Sequence, residues 1–240
     1  MKVSFISLGC AKNLVNAEQM MALVKVAGHT IVGDPEGCDA VVVNTCGFIE
    51  TAKSEAIDTI LEMARLKEEG KLRKILVTGC LSQRYQDELL EELPEVDGVL
   101  GTGSYTDVVP ALEAMLEGDQ PTFFGDIDHT IEDGARILST PAYTAYLKIA
   151  EGCDNRCSYC IIPYLRGRYR SRTFESLLEE AKGLAEQGVQ ELIVVAQDIT
   201  RYGTDLYGRR RLGELLEALC KLPFHWIRLH YLYPDEVDDA

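Results

Sequence analysis

Ala40-Val41-Val42-Val43-Asn44-Thr45-Cys46-Gly47 is the stretch on which the fold turns. Three valines in a row leave no polar face for solvent. Residues 40–44 therefore read as a strand buried on both sides, as in a parallel sheet covered by helices. Residues 75–78 form a second buried strand, 3–8 a β-rich run, and Val99 with Leu100 a short strand before glycines. Helical spacing fills the intervals: 14–27, 52–69 with Gly70 behind it, 83–93 stopped by Pro94, and 105–116 ended by Gly118. This alternation predicts an α/β fold that begins with an open parallel sheet carrying helices on both faces.

Cysteines stand where the strands stop. Cys10 follows the first strand, Cys46 the valine strand and Cys80 the strand at 75–78, each beside a glycine, Gly9, Gly47 or Gly79. In an open parallel sheet the loops at the carboxyl ends share one edge and form the binding crevice. Three cysteines 36 and 34 residues apart in sequence are thereby predicted to converge. Their small neighbours leave room for a bulky group near the backbone. Chance small hydrophobes are the competing reading. Cys38 and Cys220 fit no such pattern and are expected to pack.

A second alternation begins at Tyr143, after a stretch rich in acids, glycine and proline that reads as a linker with one hidden strand at 122–124. The expected organisation is a first domain over 1–120, a linker over 121–140 and a second domain over 141–240. The second holds strands at 146–150, 191–196 and 226–231 and helices at 175–187 and 212–219.

Cys153, Cys157 and Cys160 follow its first strand with Cys-x3-Cys-x2-Cys spacing. Three thiolates within eight residues wrap one face of a small cluster from a single loop. A four-iron cubane so held keeps one iron without a protein ligand, the open position that a catalytic metal needs. Zinc would need a fourth ligand and usually shows paired Cys-x2-Cys motifs. Zinc and unrelated buried thiols are the alternatives on the residues alone. Arg166, Arg168, Arg170 and Arg172 lie within seven residues and suit a carboxylate, or else a salt-bridged connection. Gln197 and Asp198 end the next strand, and His230 the third, on the same expected rim.

The stretch Glu151-Gly-Cys-Asp-Asn-Arg-Cys-Ser-Tyr-Cys-Ile-Ile-Pro163 resembles the cluster loop of radical S-adenosylmethionine enzymes, and among them the methylthiotransferase family. The resemblance runs from Ser7-Leu-Gly-Cys-Ala-Lys-Asn13 to Leu229-His-Tyr-Leu-Tyr-Pro234. It implies two [4Fe-4S] clusters, one on Cys10, Cys46 and Cys80 and one on Cys153, Cys157 and Cys160. The second cluster would bind S-adenosyl-L-methionine and cleave it to a 5′-deoxyadenosyl radical. Tyr159 would lie by the cofactor's adenine, and Gln197, Asp198, Arg166 and Arg168 are candidate cofactor contacts. The implied fold of the second domain is the first part, about three βα units, of a partial (β/α) barrel.

Two branches of the family differ in substrate. One methylthiolates an adenosine of transfer RNA, the other the β-carbon of an aspartate in a small-subunit ribosomal protein. Gly9-Cys10-Ala11-Lys12-Asn13 and Tyr202-Gly203 resemble the ribosomal-protein branch, although Ala11, Asn16 and Ala17 depart from its usual proline, aspartate and serine. Charge agrees. The net value is −15, and residues 1–140 carry 11 basic and 24 acidic side chains, a net −13. Such a field repels phosphate backbones and suits a basic protein. The expected partners are a basic small-subunit ribosomal protein, favoured over transfer RNA, and an electron donor such as flavodoxin or ferredoxin.

A composition of 46% hydrophobic and 26% charged residues places the chain in the globular class. No apolar run reaches the roughly 18 residues of a membrane span. Ser7-Leu8-Gly9-Cys10 faintly resembles a lipoprotein cleavage site, but the apolar run before it is shorter than the usual ~7–15 residues, so a cytoplasmic protein is expected. A βα unit takes about 30 residues, so 141–240 hold only about three. The chain reads as an N-terminal fragment without the family's small C-terminal β-barrel domain. The competing class is an iron–sulfur electron carrier or an inactive fragment.

Overall fold

In the computed structural model, which describes residues 1–129 and 134–236, the chain opens with β1 (Lys2–Ser7) and α1 (Ala11–Val26). There follow β2 (Thr30–Val32), β3 (Cys38–Thr45), α2 (Glu50–Glu68) and β4 (Leu72–Gly79). Two short helices, α3 (Cys80–Tyr85) and α4 (Asp87–Glu92), precede β5 (Gly98–Leu100), α5 (Val108–Glu117) and β6 (Thr122–Phe123). The six strands form one parallel sheet in the order β2-β1-β3-β4-β5-β6. With residues 134–137 these elements make the first of two units.

The valine run explains the layering. Ala40 and Val42 point to one face, against Ala17, Met20 and Val24 of α1 and Ala111, Leu112 and Met115 of α5. Val41 and Val43 point to the other, against Ala56, Ile60 and Met63 of α2. All three valines are fully buried. Burial of such side chains supplies roughly 1.5–3 kcal/mol each. Because β1 leads into α1 on one face and β3 into α2 on the other, the loops after these neighbouring strands part company. That divergence is the switch point where open α/β sheets form their crevice.

Two details depart from the expected pattern. β2 was not foreseen, because three half-exposed residues carry no periodicity. The helix expected over 83–93 is broken at Gln86, whose φ is 45°. Polar bonds tie α3 to the strand ends: Ser82 Oγ donates to Leu100 O (2.5 Å), and Gln83 Oε1 accepts from Thr102 N (2.9 Å). α4 is instead held by Leu89 in the core. The left-handed residue joins two differently anchored turns.

The second unit begins at residue 138. Its elements are β7 (Thr144–Lys148), β8 (Ala150–Glu151), α6 (Ile162–Arg166), β9 (Arg170–Ser171), α7 (Phe174–Glu186), β10 (Glu191–Val195), α8 (Leu212–Leu219) and β11 (Trp226–Leu229). β7, β10 and β11 are parallel in the order β11-β10-β7, and α7 and α8 cover one face through Leu177, Ala181, Leu184, Leu215 and Leu219. This is the beginning of a (β/α) barrel, as the sequence led us to expect. The first strand is split: Ala150 and Glu151 leave the sheet to pair antiparallel with Ser171 and Arg170. Residues 130–133 of the expected linker, and 237–240 of the acidic end, lie outside the described residues. Among the described residues no helix is long and apolar enough to cross a membrane.

Gly79 closes β4 with φ 102°, and a Cβ there would lie 2.4 Å from Thr45 O and 2.7 Å from Asn44 Oδ1. A non-glycine residue in such a conformation costs about 1–3 kcal/mol before any clash. Gly79→Ala is therefore expected to lose at least about 2 kcal/mol in urea unfolding. Gly70→Ala, with positive φ but open space, should lose only about 1 kcal/mol. Equal losses would show that the contact across β3 and β4 does not matter.

Candidate metal centres

In the first unit β1, β3 and β4 are adjacent and in register, with Ser7 opposite Asn44 and Thr45 opposite Gly79. Cys10, Cys46 and Cys80 thus emerge at the carboxyl edge of three neighbouring strands. Cys10 caps α1, and Cys80 is the first residue of α3. The loops pack on one another. A Cβ at Gly9 would meet Cys46 Cβ at 2.7 Å and Sγ at 3.3 Å, and a Cβ at Gly47 would meet Cys80 O at 2.8 Å. Cys10 and Cys46 are half-buried and Cys80 is buried.

Two buried asparagines lock this edge. Asn13 Nδ2 donates to Leu8 O (3.1 Å) and to Thr45 O (3.0 Å). Asn44 Nδ2 donates to Asn13 O (2.7 Å). The carbonyls of Leu8, Thr45 and Asn13 thereby each gain a side-chain donor. Sequence reasoning missed this role. The available signal was a polar Asn44 ending an all-apolar strand two residues before Cys46.

In the second unit Cys153, Cys157 and Cys160 share one loop between β8 and α6, all half-buried. Cys153 N donates to Gly167 O (3.1 Å), and Cys160 N to Cys157 O (2.9 Å). Gly152, φ 76°, presses on the backbone of 167–168: a Cβ would lie 1.9 Å from Arg168 O. Burial, and after it the Asp198 carboxylate and the Cys160 and Cys157 sulfurs, push the Cys153 thiol up, against a backbone hydrogen bond from Asn155. Cys153, Cys157 and Cys160 offer three thiol sulfurs from one loop, a donor set chemically suited to iron. Among the described residues no three of His, Cys, Asp and Glu crowd as ligands of one ion do. A four-iron cluster needs a wider spread of thiolates, about 6–7 Å.

The other candidate residues fall into two groups. Tyr159 is 83% exposed on the cysteine loop, with its hydroxyl at Cys157. Asp198 is buried. It accepts from Thr200 N (3.0 Å) and Asn155 Nδ2 (3.3 Å), and so ties the loop to the end of β10. Arg166 and Gln197 turn to Glu151 instead of outward. Gln197 Nε2 donates to Glu151 Oε1 (2.8 Å), and Arg166 Nη1 stands 3.6 Å from Oε2. Arg168 is exposed, and its carbonyl accepts from Arg170 Nη1 (2.6 Å). Arg172 is paired with Glu180 (2.5 Å), so this arginine serves the salt-bridged connection. His230 sits edge-on to Tyr231, 6.0 Å between ring centroids. Cys38 is buried, as expected, whereas Cys220, expected to pack, is exposed at the end of α8.

Glu151 is the centre of a buried charge group that sequence reasoning did not find. Lys148 Nζ lies 2.8 Å from Glu151 Oε2, and both residues are nearly inaccessible. Burial works to raise the Glu151 carboxyl, but the charges of Lys148 and Arg166 and the hydrogen bonds from Lys148 and Gln197 win, and hold it far below its ordinary range.

Residues 2–101 match a family described as "Uncharacterized protein family UPF0004", and residues 147–239 match the radical SAM superfamily. Over its whole length the chain is 54% identical to "Ribosomal protein uS12 methylthiotransferase RimO" of Clostridioides difficile, covering 54% of that protein. It is 51% identical, over 99% of its length, to the protein of the same description from Desulforamulus reducens, again covering 54% of it. Over its whole length the chain is thus similar to ribosomal-protein methylthiotransferases. It spans about half the length of these relatives in the methylthiotransferase family. The fold is also similar to the radical S-adenosylmethionine methyltransferase TsrM of Kitasatospora setae, with TM-score 0.62 at 14% identity over 90% of this chain and 50% of that one.

Glu151→Gln would leave the buried Lys148 without its counter-charge. We expect about 3–5 kcal/mol lost at pH 7 in unfolding of the reduced, metal-free chain. The folded carboxyl lies below its ordinary value of 4.5. Its contribution is therefore complete above that pH and lost as pH falls towards the folded value. The gap between wild type and variant should narrow below pH 4.5. A gap independent of pH would contradict this assignment.

Proposed function

We propose that this chain carries two [4Fe-4S] clusters, one on Cys10, Cys46 and Cys80 and one on Cys153, Cys157 and Cys160. We propose further that it works in an enzyme adding a methylthio group to an aspartate of a basic small-subunit ribosomal protein. The observation that carries the reading is that each unit gathers three cysteines in one place. One set of three cysteines stands at the ends of three parallel strands and the other on a single loop after β8, and three thiolates on a four-iron cluster would leave one iron open. An electron carrier would need four ligands per cluster.

A cluster held by Cys153, Cys157 and Cys160 would supply the one-electron chemistry by which such enzymes act on an unactivated carbon. The β-carbon of an aspartate has no easily lost proton, so acid–base groups would serve poorly there. The protein's part is to hold and orient. Tyr159 offers an exposed ring face to an adenine. Asp198, through Asn155, fixes the loop that carries Cys153. Arg166 and Gln197 steady Glu151 just before the loop. Arg168, exposed after the loop, carries a guanidinium of the type that binds a carboxylate. The electron donor in this reading is a flavodoxin or ferredoxin, and the setting is the cytoplasm, where thiols stay reduced.

The ribosomal-protein substrate is supported by the printed function of relatives about half identical to this chain, and by the −13 charge of residues 1–140. Transfer RNA would ask for a basic surface to neutralise several phosphates.

After anaerobic reconstitution the chain should hold about eight irons, and the Cys153/Cys157/Cys160 triple alanine variant about four. Iron unchanged in that variant would remove the assignment. For the substrate, a protein of the relatives' length bearing this chain would be supplied with S-adenosylmethionine, reductant and either uS12 or transfer RNA. Mass spectrometry should find a gain of about 46 Da, one methylthio group, on the ribosomal protein. Modification of transfer RNA alone would overturn the choice.

A further inference from the structure

The first unit carries a groove of about 340 Å³ between α2 and the pair α3 and α4. Ile57, Leu81, Leu89 and Leu93 form its apolar floor, and the Tyr85 ring lines it as well. Its rim is acidic, with Glu50, Glu88 and Glu92. Lys53, also at the groove, is already engaged: it lies 2.5 Å from Glu50 and donates to Tyr85 Oη at 3.2 Å. Neither Glu88 nor Glu92 is in an ion pair among the described residues.

Part of that acidity works against the helix that bears it: Asp87 and Glu88 lie in the first turn, where the dipole favours anions, but the remaining acids do not. Four of the six residues of α4 are Asp87, Glu88, Glu91 and Glu92. Glu88 and Glu92 are one turn apart, a like-charged i,i+4 pair that destabilises a helix. Glu91 and Glu92 stand at its C-terminal end, where the helix dipole disfavours anions, and the last turn holds no basic residue. A charge placement that costs local stability beside an apolar groove with Ile57 exposed is accounted for by an occupant that supplies cations. Ile57 at 38%, and Ile49 just before α2 at 53%, leave apolar surface to cover.

We propose that this groove docks a basic protein segment, with one apolar side chain seated on Ile57 and Leu89 and lysines or arginines meeting Glu88 and Glu92. The charge pattern is complementary to such a segment and repels an acidic or nucleic-acid partner. The volume suits one or two side chains, not a folded domain. The groove's walls also begin at the candidate cluster edge: α3 starts with Cys80, and α2 starts four residues after Cys46. A docked segment would be held on the same unit as these cysteines. The inference concerns a peptide-binding surface and does not depend on which molecule is methylthiolated.

The test uses fluorescently labelled 12-residue peptides and the whole chain. One peptide has lysines flanking a central leucine, a second has glutamate for each lysine, and a third has alanine for the leucine. Anisotropy is measured at low and at physiological salt. The lysine–leucine peptide should bind, at least tenfold more tightly than either control. Binding should fall at least tenfold in Glu88→Lys/Glu92→Lys and in Ile57→Asp. The variant Glu113→Lys/Glu117→Lys, with the same change of net charge on α5 across the sheet, should bind like wild type. Methyl NMR should shift the Ile57 and Leu89 signals on titration. Equal weakening in the α5 variant would mean attraction to overall charge only and would overturn the proposal. So would binding that ignores the leucine, or an Ile57 signal that does not move.

Discussion

The parallel register of β1, β3 and β4 is the constraint on which the first unit depends. With Ser7 opposite Asn44 and Thr45 opposite Gly79, three strands end almost level, and both faces of the sheet are closed by helices. Chemistry is left only the edge. Cys10, Cys46 and Cys80 occupy that edge because each strand stops within three residues of its cysteine. The contacts of Gly9 on Cys46 and Gly47 on Cys80 allow no slack. A one-residue slip of β3 would exchange its two buried faces and carry Cys46 away from Cys80.

The second unit solves the same problem by other means. Its three cysteines sit on one loop, so spacing along the chain brings them together, and the fold has only to hold the loop still. It does so with buried polar groups. Asp198 reaches Asn155, Gly152 lies on the Arg168 carbonyl, and Lys148 and Glu151 pair just ahead of Cys153. A buried ion pair is a poor source of stability, because desolvation consumes most of the attraction. Its value here is geometric. Glu151, held by Lys148, Arg166 and Gln197, has one position, and the loop that starts two residues later inherits it.

Much of this was legible in the residues. Runs such as Val41–Val43 admit one reading, since an element with no polar side must be buried on both, and short buried elements in alternation with amphipathic helices make a parallel sheet. The six cysteines stood out because thiols at strand ends and Cys-x3-Cys-x2-Cys spacing are local patterns. The break at Gln86, the edge strand at Thr30–Val32 and the β8–β9 pairing did not stand out. Each is too short to carry a period, and each is set by what it touches.

The sequence by itself determined the class of the fold, the places where its strands stop, and the cysteines that stand there. All of these follow from side-chain polarity counted along a few residues. Only the tertiary structure decided that Asn13 and Asn44 would clasp one another across 31 residues of chain, that Arg166 and Gln197 would turn inward to Glu151, and that acidic residues of α2 and α4 would rim one groove. Hydrogen bonds and ion pairs between distant residues depend on register and on which helix lies over which strand. Those are properties of the packed sheet, and no window of the sequence contains them.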